Sequence, residues 1–359
     1  MKRRIQIVAP GRICLFGDHQ DYLELPVIAC AINRVLLLSS EENTTAQFHI
    51  RMPDIPSERT ISIDNPFTSL DAGDHFASAL RVVRRYACIP DTGFDIELKS
   101  TIPINAGTSS SSAIVVGWVH FLLTAFGCNQ EITALLIAKL AYEAEVLEHH
   151  SPGGKMDQYT IALGNIIYID TSQSFSYEQI GTELEGLVLG VSGIPKKTIG
   201  LLGTLKGNAQ EAIAQVKTAR PGFQLEKAST NDIEPLSEYI SETLQPYFYA
   251  AVMNHDITQK AKRHLNEKTP DLKTIGALMT AHHEVLKDIL KITVPRIDAM
   301  ISAALDAGAY GAKIVGSGGG GSIVALAPPE NKNAVIEAIK KAGAVDAYEV
   351  LVEKGTYIQ

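Results

Sequence analysis

The strongest constraint on how this chain folds lies in residues 103–126. A glycine- and serine-rich stretch, Pro103-Ile-Asn-Ala-Gly-Thr-Ser-Ser-Ser-Ser112, runs directly into Ala113–Phe126, which contains no Asp, Glu, Lys or Arg. A helix without a polar face has to be buried, and this one is shorter than the ~18 residues of a membrane span. It belongs in the middle of a core. The 359 residues are enough to build one, and at about 100–200 residues per domain they suggest about two domains. A content of 45% hydrophobic and 20% charged residues excludes disordered and collagen-like chains. Cys14, Cys30, Cys88 and Cys128 are scattered without a CxxC pair, the pattern of a reduced cytoplasmic protein rather than a disulfide or zinc scaffold. Met1-Lys-Arg-Arg-Ile leads into a strand-like run, not a signal-peptide core. The formal charge of −8 excludes a general nucleic-acid binder but not a local site for one small anion.

Along the chain, residues 3–9 read as a strand stopping at Pro10-Gly11, followed by a polar loop, Gly17-Asp-His-Gln-Asp-Tyr22. Residues 26–39 read as buried strand, 48–51, 60–63 and 94–98 as further strands, and 75–86 as a helix. Helices are expected over 113–126 and 131–147, then a loop through Asp157 and a strand at 165–169. A composition shift at 172–185 marks a domain boundary. Beyond it come a strand at 187–191, a lysine-bearing loop at 193–198, and helices at 204–220, 233–254, 257–265, 272–290 and 296–307. The chain closes with strands at 312–315 and 322–327, a helix at 331–341 and a strand at 347–352.

Four stretches can carry chemistry. Gly316-x-Gly318-x-x-Gly321 formally satisfies the dinucleotide fingerprint, but a strand follows it where that motif requires a helix. It is either a glycine-rich hairpin or a backbone brought close to a ligand or a neighbouring loop. The loop Asn105–Ser112 opens a helix, where unpaired N–H groups and the positive dipole end favour an anion; the alternative is an N-cap of small packing residues. No Walker GxxxxGK[ST] occurs. Phosphoryl transfer needs a Mg2+ ligand and a group that orients or deprotonates the attacking hydroxyl. Glu145 suits the first role and Asp157 the second, with Arg12 suited either to keep Asp157 ionised or to stabilise the transferring phosphoryl group. Asp18, His19 and Asp21 share a short loop suited to a polyhydroxyl ligand, a metal or a solvated turn; HExxH and similar metal spacings are absent.

Taken in order, Pro10-Gly-Arg-Ile-Cys-Leu-Phe-Gly-Asp-His, Pro103-Ile-Asn-Ala-Gly-Thr-Ser-Ser-Ser-Ser-Ala and Gly311-Ala-Lys-Ile-Val-Gly-Ser-Gly-Gly-Gly-Gly resemble the three signature motifs of the GHMP kinases. Within that family, Gly17–Tyr22 and Gly154-Lys-Met-Asp-Gln158 are most similar to the sugar-binding and catalytic segments of galactokinases, although Asp18 stands where those carry Glu. The resemblance implies an α+β two-domain GHMP kinase fold: an N-terminal domain of the ribosomal S5 domain 2 type with a left-handed βαβ unit, over residues 1–185, and a ferredoxin-like C-terminal domain over 186–359. It implies an ATP- and Mg2+-dependent kinase acting on the anomeric hydroxyl of galactose or a related sugar. Asp157 and Arg12 would be catalytic, and Asp18, His19, Asp21 and Gly154 would hold the sugar. Asn105, Ala106, Gly107, Thr108, Ser109, Ser110, Ser111 and Ser112 would wrap the ATP phosphates, with Ser111 and Glu145 on the metal. Mevalonate kinase activity, a non-catalytic sugar and ATP sensor, and a nicotinamide dehydrogenase are the competing readings. The expected partners are a small molecule only, with no nucleic acid or membrane, and the expected state is a monomer or homodimer.

Overall fold

A computed structural model describes residues 2–55, 57–195 and 198–359. Its first sheet has eight strands: β1 (Arg4–Phe16), β2 (Val27–Glu42), β3 (Gln47–Met52), β4 (Ser57–Ser62), β5 (Phe94–Ser100), β6 (Ile166–Asp170), β7 (Ser176–Ile180) and β12 (Tyr357–Ile358). The order is β12-β1-β2-β5-β3-β4, with β6 on β2 and β7 on β6. All pairings are antiparallel except β3 with β5, the parallel pair that a βαβ unit requires. Helices α1 (His75–Arg84), α2 (Ser110–Phe126), α3 (Ala134–Tyr142) and α4 (Met156–Leu163) pack against this sheet.

The uncharged helix behaves as its composition demands. In α2, Trp118 and Phe121 are almost wholly buried, and their rings pack edge-on against Phe48 of β3. Burying each such side chain is worth about 1.5–3 kcal/mol relative to exposure. The core so formed sets α2's N-terminus at one fixed place beside β1.

The second sheet holds β8 (Leu187–Val191), β9 (Gly311–Val315), β10 (Ser322–Leu326) and β11 (Asp346–Val350) in the order β11-β8-β10-β9, all antiparallel. With α10 (Lys332–Lys341) between β10 and β11, this is the expected ferredoxin-like strand order. Between β8 and β9 the chain adds α5 (Thr198–Ala219), α6 (Ile233–Ser237), α7 (Gln245–Leu265), α8 (Leu272–Glu284) and α9 (Pro295–Asp306). No helix among the described residues is long and apolar enough to cross a membrane.

Several expectations are corrected. β1 does not stop at Pro10-Gly11 but runs on to Phe16; its pairing with β2 slips between those two residues, a bulge that accommodates a proline without a ladder N–H. Residues 131–147 are not one regular helix, because α3 passes into a π-turn at Glu143–Leu147. The expected loop through Asp157 ends at Met156, where α4 begins. Helix 233–254 is broken: α7 starts anew at Gln245 with Pro246 in its first turn, where the missing N–H costs nothing. The segment read as a boundary contains the exposed edge strand β7. The chain's end returns to the first sheet, where β12 pairs with β1 and Val352 with Ile32. The free edge of β1 takes the returning chain. Lys196 and Lys197 of the lysine-bearing loop lie outside the described residues.

Candidate active site

The loop before α2 takes left-handed backbone at Asn105 (φ 54°), Gly107 (φ 85°) and Ser109 (φ 60°). Such turns are costly for non-glycine residues and persist only where neighbours impose them. Here the neighbour is the glycine run: a Cβ on Gly107 would lie 2.6 Å from the Val315 carbonyl, and one on Gly316 would lie 3.2 Å from the Gly107 carbonyl. Backbone rests on backbone, so the run is a loop support and not a nucleotide fingerprint. The loop's own carbonyls are tied to β1, with Arg12 N–H donating to Thr108 O at 3.2 Å and the Arg12 guanidinium to Gly107 O. The N-terminal amides of α2 remain for an anion.

Asp157 stands in the first turn of α4, and Arg12, in β1, reaches it. Nε and Nη2 of Arg12 both donate to Asp157 Oδ1, at 2.8 and 2.7 Å, and the Ser109 hydroxyl donates to Oδ2. Burial is the largest influence and works against the Arg12 charge, yet Asp157, with Cys14 and Asp18, raises the guanidinium pKa overall. The Thr108 and Ser109 hydroxyls are turned inward, onto Pro103 O and Asp157, so any phosphate contact from these two residues is through backbone.

The π-turn brings Glu145 to the start of α2. Its carboxylate accepts from Ser112 Oγ at 2.9 Å and Gln158 Nε2 at 2.6 Å, with the Ser111 hydroxyl as a further partner. Burial pushes the Glu145 pKa up, against the pull of those hydrogen bonds, and Asp157 adds to the rise. π-turns of this kind recur at functional sites. A hydroxyl and one carboxylate suit Mg2+, which takes few protein ligands and completes its shell with water and phosphate oxygens.

The polyhydroxyl-binding candidates divide. Asp21 and Gly154 meet closely, since a Cβ on Gly154 would lie 2.3 Å from Asp21 Oδ2. Burial and the nearby Asp157 raise Asp21 to about 6. His19 is pushed down to about 4, chiefly by burial, so it is a neutral imidazole whose Nδ1 faces the Tyr22 hydroxyl at 3.0 Å. Asp18 borders the same space, and both its oxygens are engaged by protein, with Lys313 Nζ at 2.6 Å and Gly316 N–H at 2.8 Å. Lys313 and Gln158 are the participants that sequence reasoning missed. The signal for Lys313 was a lone charge in the apolar strand Gly311–Val315; Gln158 simply follows Asp157.

Arg12, Asp21, Ser111, Glu145, Gly154 and Asp157 all border one cavity of about 180 Å3. A helix N-terminus, a hydroxyl–carboxylate pair and a carboxylate held by arginine converge there, the layout of a small-molecule phosphotransferase. Residues 74–165 match the family described as GHMP kinases N terminal domain, and residues 262–345 match GHMP kinases C terminal. Residues 2–39 match the galactokinase galactose-binding signature. The chain belongs to the GHMP kinases and is a galactokinase-like, ATP-dependent phosphotransferase. It is 28% identical to galactokinase of Thermotoga maritima over 99% of each chain. It is 27% identical to mevalonate kinase of Thermococcus sibiricus over 99% of this chain and 98% of that one. The fold also matches that of Lactococcus lactis galactokinase complexed with galactose, with a TM-score of 0.89 at 22% identity over 99% of this chain and 95% of the other.

Proposed function

We propose that this kinase transfers the γ-phosphoryl group of ATP to the anomeric hydroxyl of a monosaccharide, galactose or a related sugar, giving the sugar 1-phosphate and ADP. The observation that carries the proposal is the placement of Asp157, fixed by Arg12 and Ser109 and bordering the same cavity as Asp21 and Gly154. Asp157 takes or orients the attacking hydroxyl's proton while Arg12 keeps it ionised. Backbone amides of Asn105–Ser112 hold the phosphates, and Ser111 and Glu145 hold Mg2+, which neutralises phosphate charge when bound. Asp21, His19 and Gly154 meet the sugar.

Mevalonate is the competing substrate, since full-length relatives at nearly equal identity bear that name. Its carboxylate would need a cation. Among the described residues lining the cavity, Arg12 is the only Lys or Arg, and Asp157 already occupies it. A neutral polyol fits these walls better. The test is an ADP-release screen over galactose, other free monosaccharides, uronic acids, N-acetylhexosamines and mevalonate. Turnover of galactose or a near relative is the expected result. Turnover of mevalonate alone would overturn the sugar assignment, and ATP binding without any turnover would favour a sensor.

A further inference from the structure

Lys313 interrupts the apolar strand β9, and its side chain is fully buried. All three of its protons are used: Nζ donates to Asp18 Oδ2 at 2.6 Å, to Ile314 O at 2.7 Å and to Cys14 O at 3.0 Å. Asp18 is 1% exposed, and its second oxygen accepts from Gly316 N–H. Two charges withdrawn from water are costly, and a hydrophobic pair of similar volume is often at least as stable. Stability alone therefore gives no reason for this pair. Its connections do.

Asp18 belongs to the loop that carries His19 and Asp21, whereas Lys313 and Gly316 belong to β9 and the glycine run. The pair thus joins the two halves of the molecule at the wall of the cavity, which Asp18 and Gly316 both border. From Gly316 the connection continues without a gap. Gly316 rests on Gly107, the Gly107 carbonyl accepts from Arg12, and Arg12 holds Asp157. Elsewhere the loop is tied to α7 by Gln20, through Ala251 O and the Thr258 hydroxyl. Asp18 supplies its tie to β9.

We propose that Asp18 and Lys313 are positioning residues. Their ion pair fixes loop 17–22 against β9 and the glycine run, so that Asp21 and Gly107 keep their places around Asp157. Asp18 acts through that loop instead of by holding a substrate hydroxyl. The proposal rests on the sugar-kinase assignment only for its choice of substrate.

The test compares Lys313→Met and the double variant Asp18→Asn/Lys313→Met with the parent, using galactose and ATP. The Asn side chain of the double variant can still accept from Gly316 N–H, so that variant removes both buried charges together with the ionic tie. Both variants are expected to raise the galactose KM by about tenfold or more and to speed amide exchange in residues 17–22 of the ligand-free protein by a similar factor. A purely structural role would lower the melting temperature and the active fraction but leave KM unchanged. The proposal is overturned if folded Lys313→Met keeps parental KM and exchange, or if the double variant regains both. Should Lys313→Met fail to fold, the double variant alone decides. If the parent does not phosphorylate galactose, the substrate assignment fails, and the exchange measurement still tests the tie.

Discussion

Replacing Asp157 by Asn keeps the side chain's shape while removing its charge and its proton acceptor. The effect on stability is bounded by the contacts in place. Losing one member of a buried ion pair costs about 3–5 kcal/mol when the survivor is stranded. Here Arg12 is 4% exposed, but its Nη1 keeps the Gly107 carbonyl, and the amide oxygen can still accept from Nε and Nη2. Asp157 is also 27% exposed, so water screens part of the loss. The remaining cost is about 1–2 kcal/mol, which at about 2–4 °C per kcal/mol leaves the protein folded at assay temperature. The chemical effect is larger. A positioned base contributes about 10²–10⁴ in rate, or about 3–5 kcal/mol in the barrier. The assay is steady-state ADP release with saturating ATP and galactose, paired with calorimetric ATP titration of the same preparation. The expected result is a kcat lower by two to four decades, with ATP affinity within about threefold of the parent. A kcat within threefold would remove Asp157 from the reaction. Parallel loss of ATP binding would show that it serves the phosphate loop instead.

Three further outcomes follow from the geometry. Asp21→Ala should raise the galactose KM by about 10- to 150-fold, the range for a charge-assisted hydrogen bond lost from a buried site, with little change in ATP KM; an unchanged sugar affinity in direct titration would count against Asp21 as a sugar contact. Gly107→Ala places a Cβ 2.6 Å from the Val315 carbonyl at φ 85°, so a stability loss of about 2–4 kcal/mol and a raised ATP KM are expected; a melting curve that superimposes on the parent's would show that the two loops separate freely. The pH dependence runs through Asp21, raised from 3.8 to about 6 by burial and Asp157. Between those values the folded chain binds more protons than the unfolded one, so this group's contribution to stability falls as pH rises through the window. Sugar binding moves the other way, because the ionised carboxylate is the better acceptor. The galactose KM should rise as pH drops below about 6, and that rise should vanish in Asp21→Asn.

Much of the site was legible along the chain because its parts are local. The phosphate loop and the helix behind it are contiguous, as are Asp18-His-Gln-Asp21 and Met156-Asp157-Gln158, and short motifs survive as patterns of residue type. Element ends were less legible. A π-turn at Glu143–Leu147 and a bulge at Pro10-Gly11 leave little mark on hydrophobic periodicity, yet the first places Glu145 beside Ser112, and the second lies beside Arg12 in the strand that carries it. The strand Ser176–Ile180 was missed because an exposed edge carries few apolar residues. That the Thr108 and Ser109 hydroxyls turn inward was not legible either, because sequence cannot say which way a hydroxyl turns.

The sequence by itself determined a buried helix behind an anion-favouring loop and an acid and an arginine suited to phosphoryl transfer. Those follow from composition, capping chemistry and motif order, all of which act over a few residues. The tertiary structure alone decided which groups meet. It set Arg12 on Asp157 across 145 residues of chain, and it set Asp18 on Lys313 across 295. It also brought residues 352–358 back to the first sheet. The physical reason is the same in each case. A buried charge or an open strand edge has to be satisfied by whatever the fold brings within reach, and residues that distant in the chain meet only through tertiary packing.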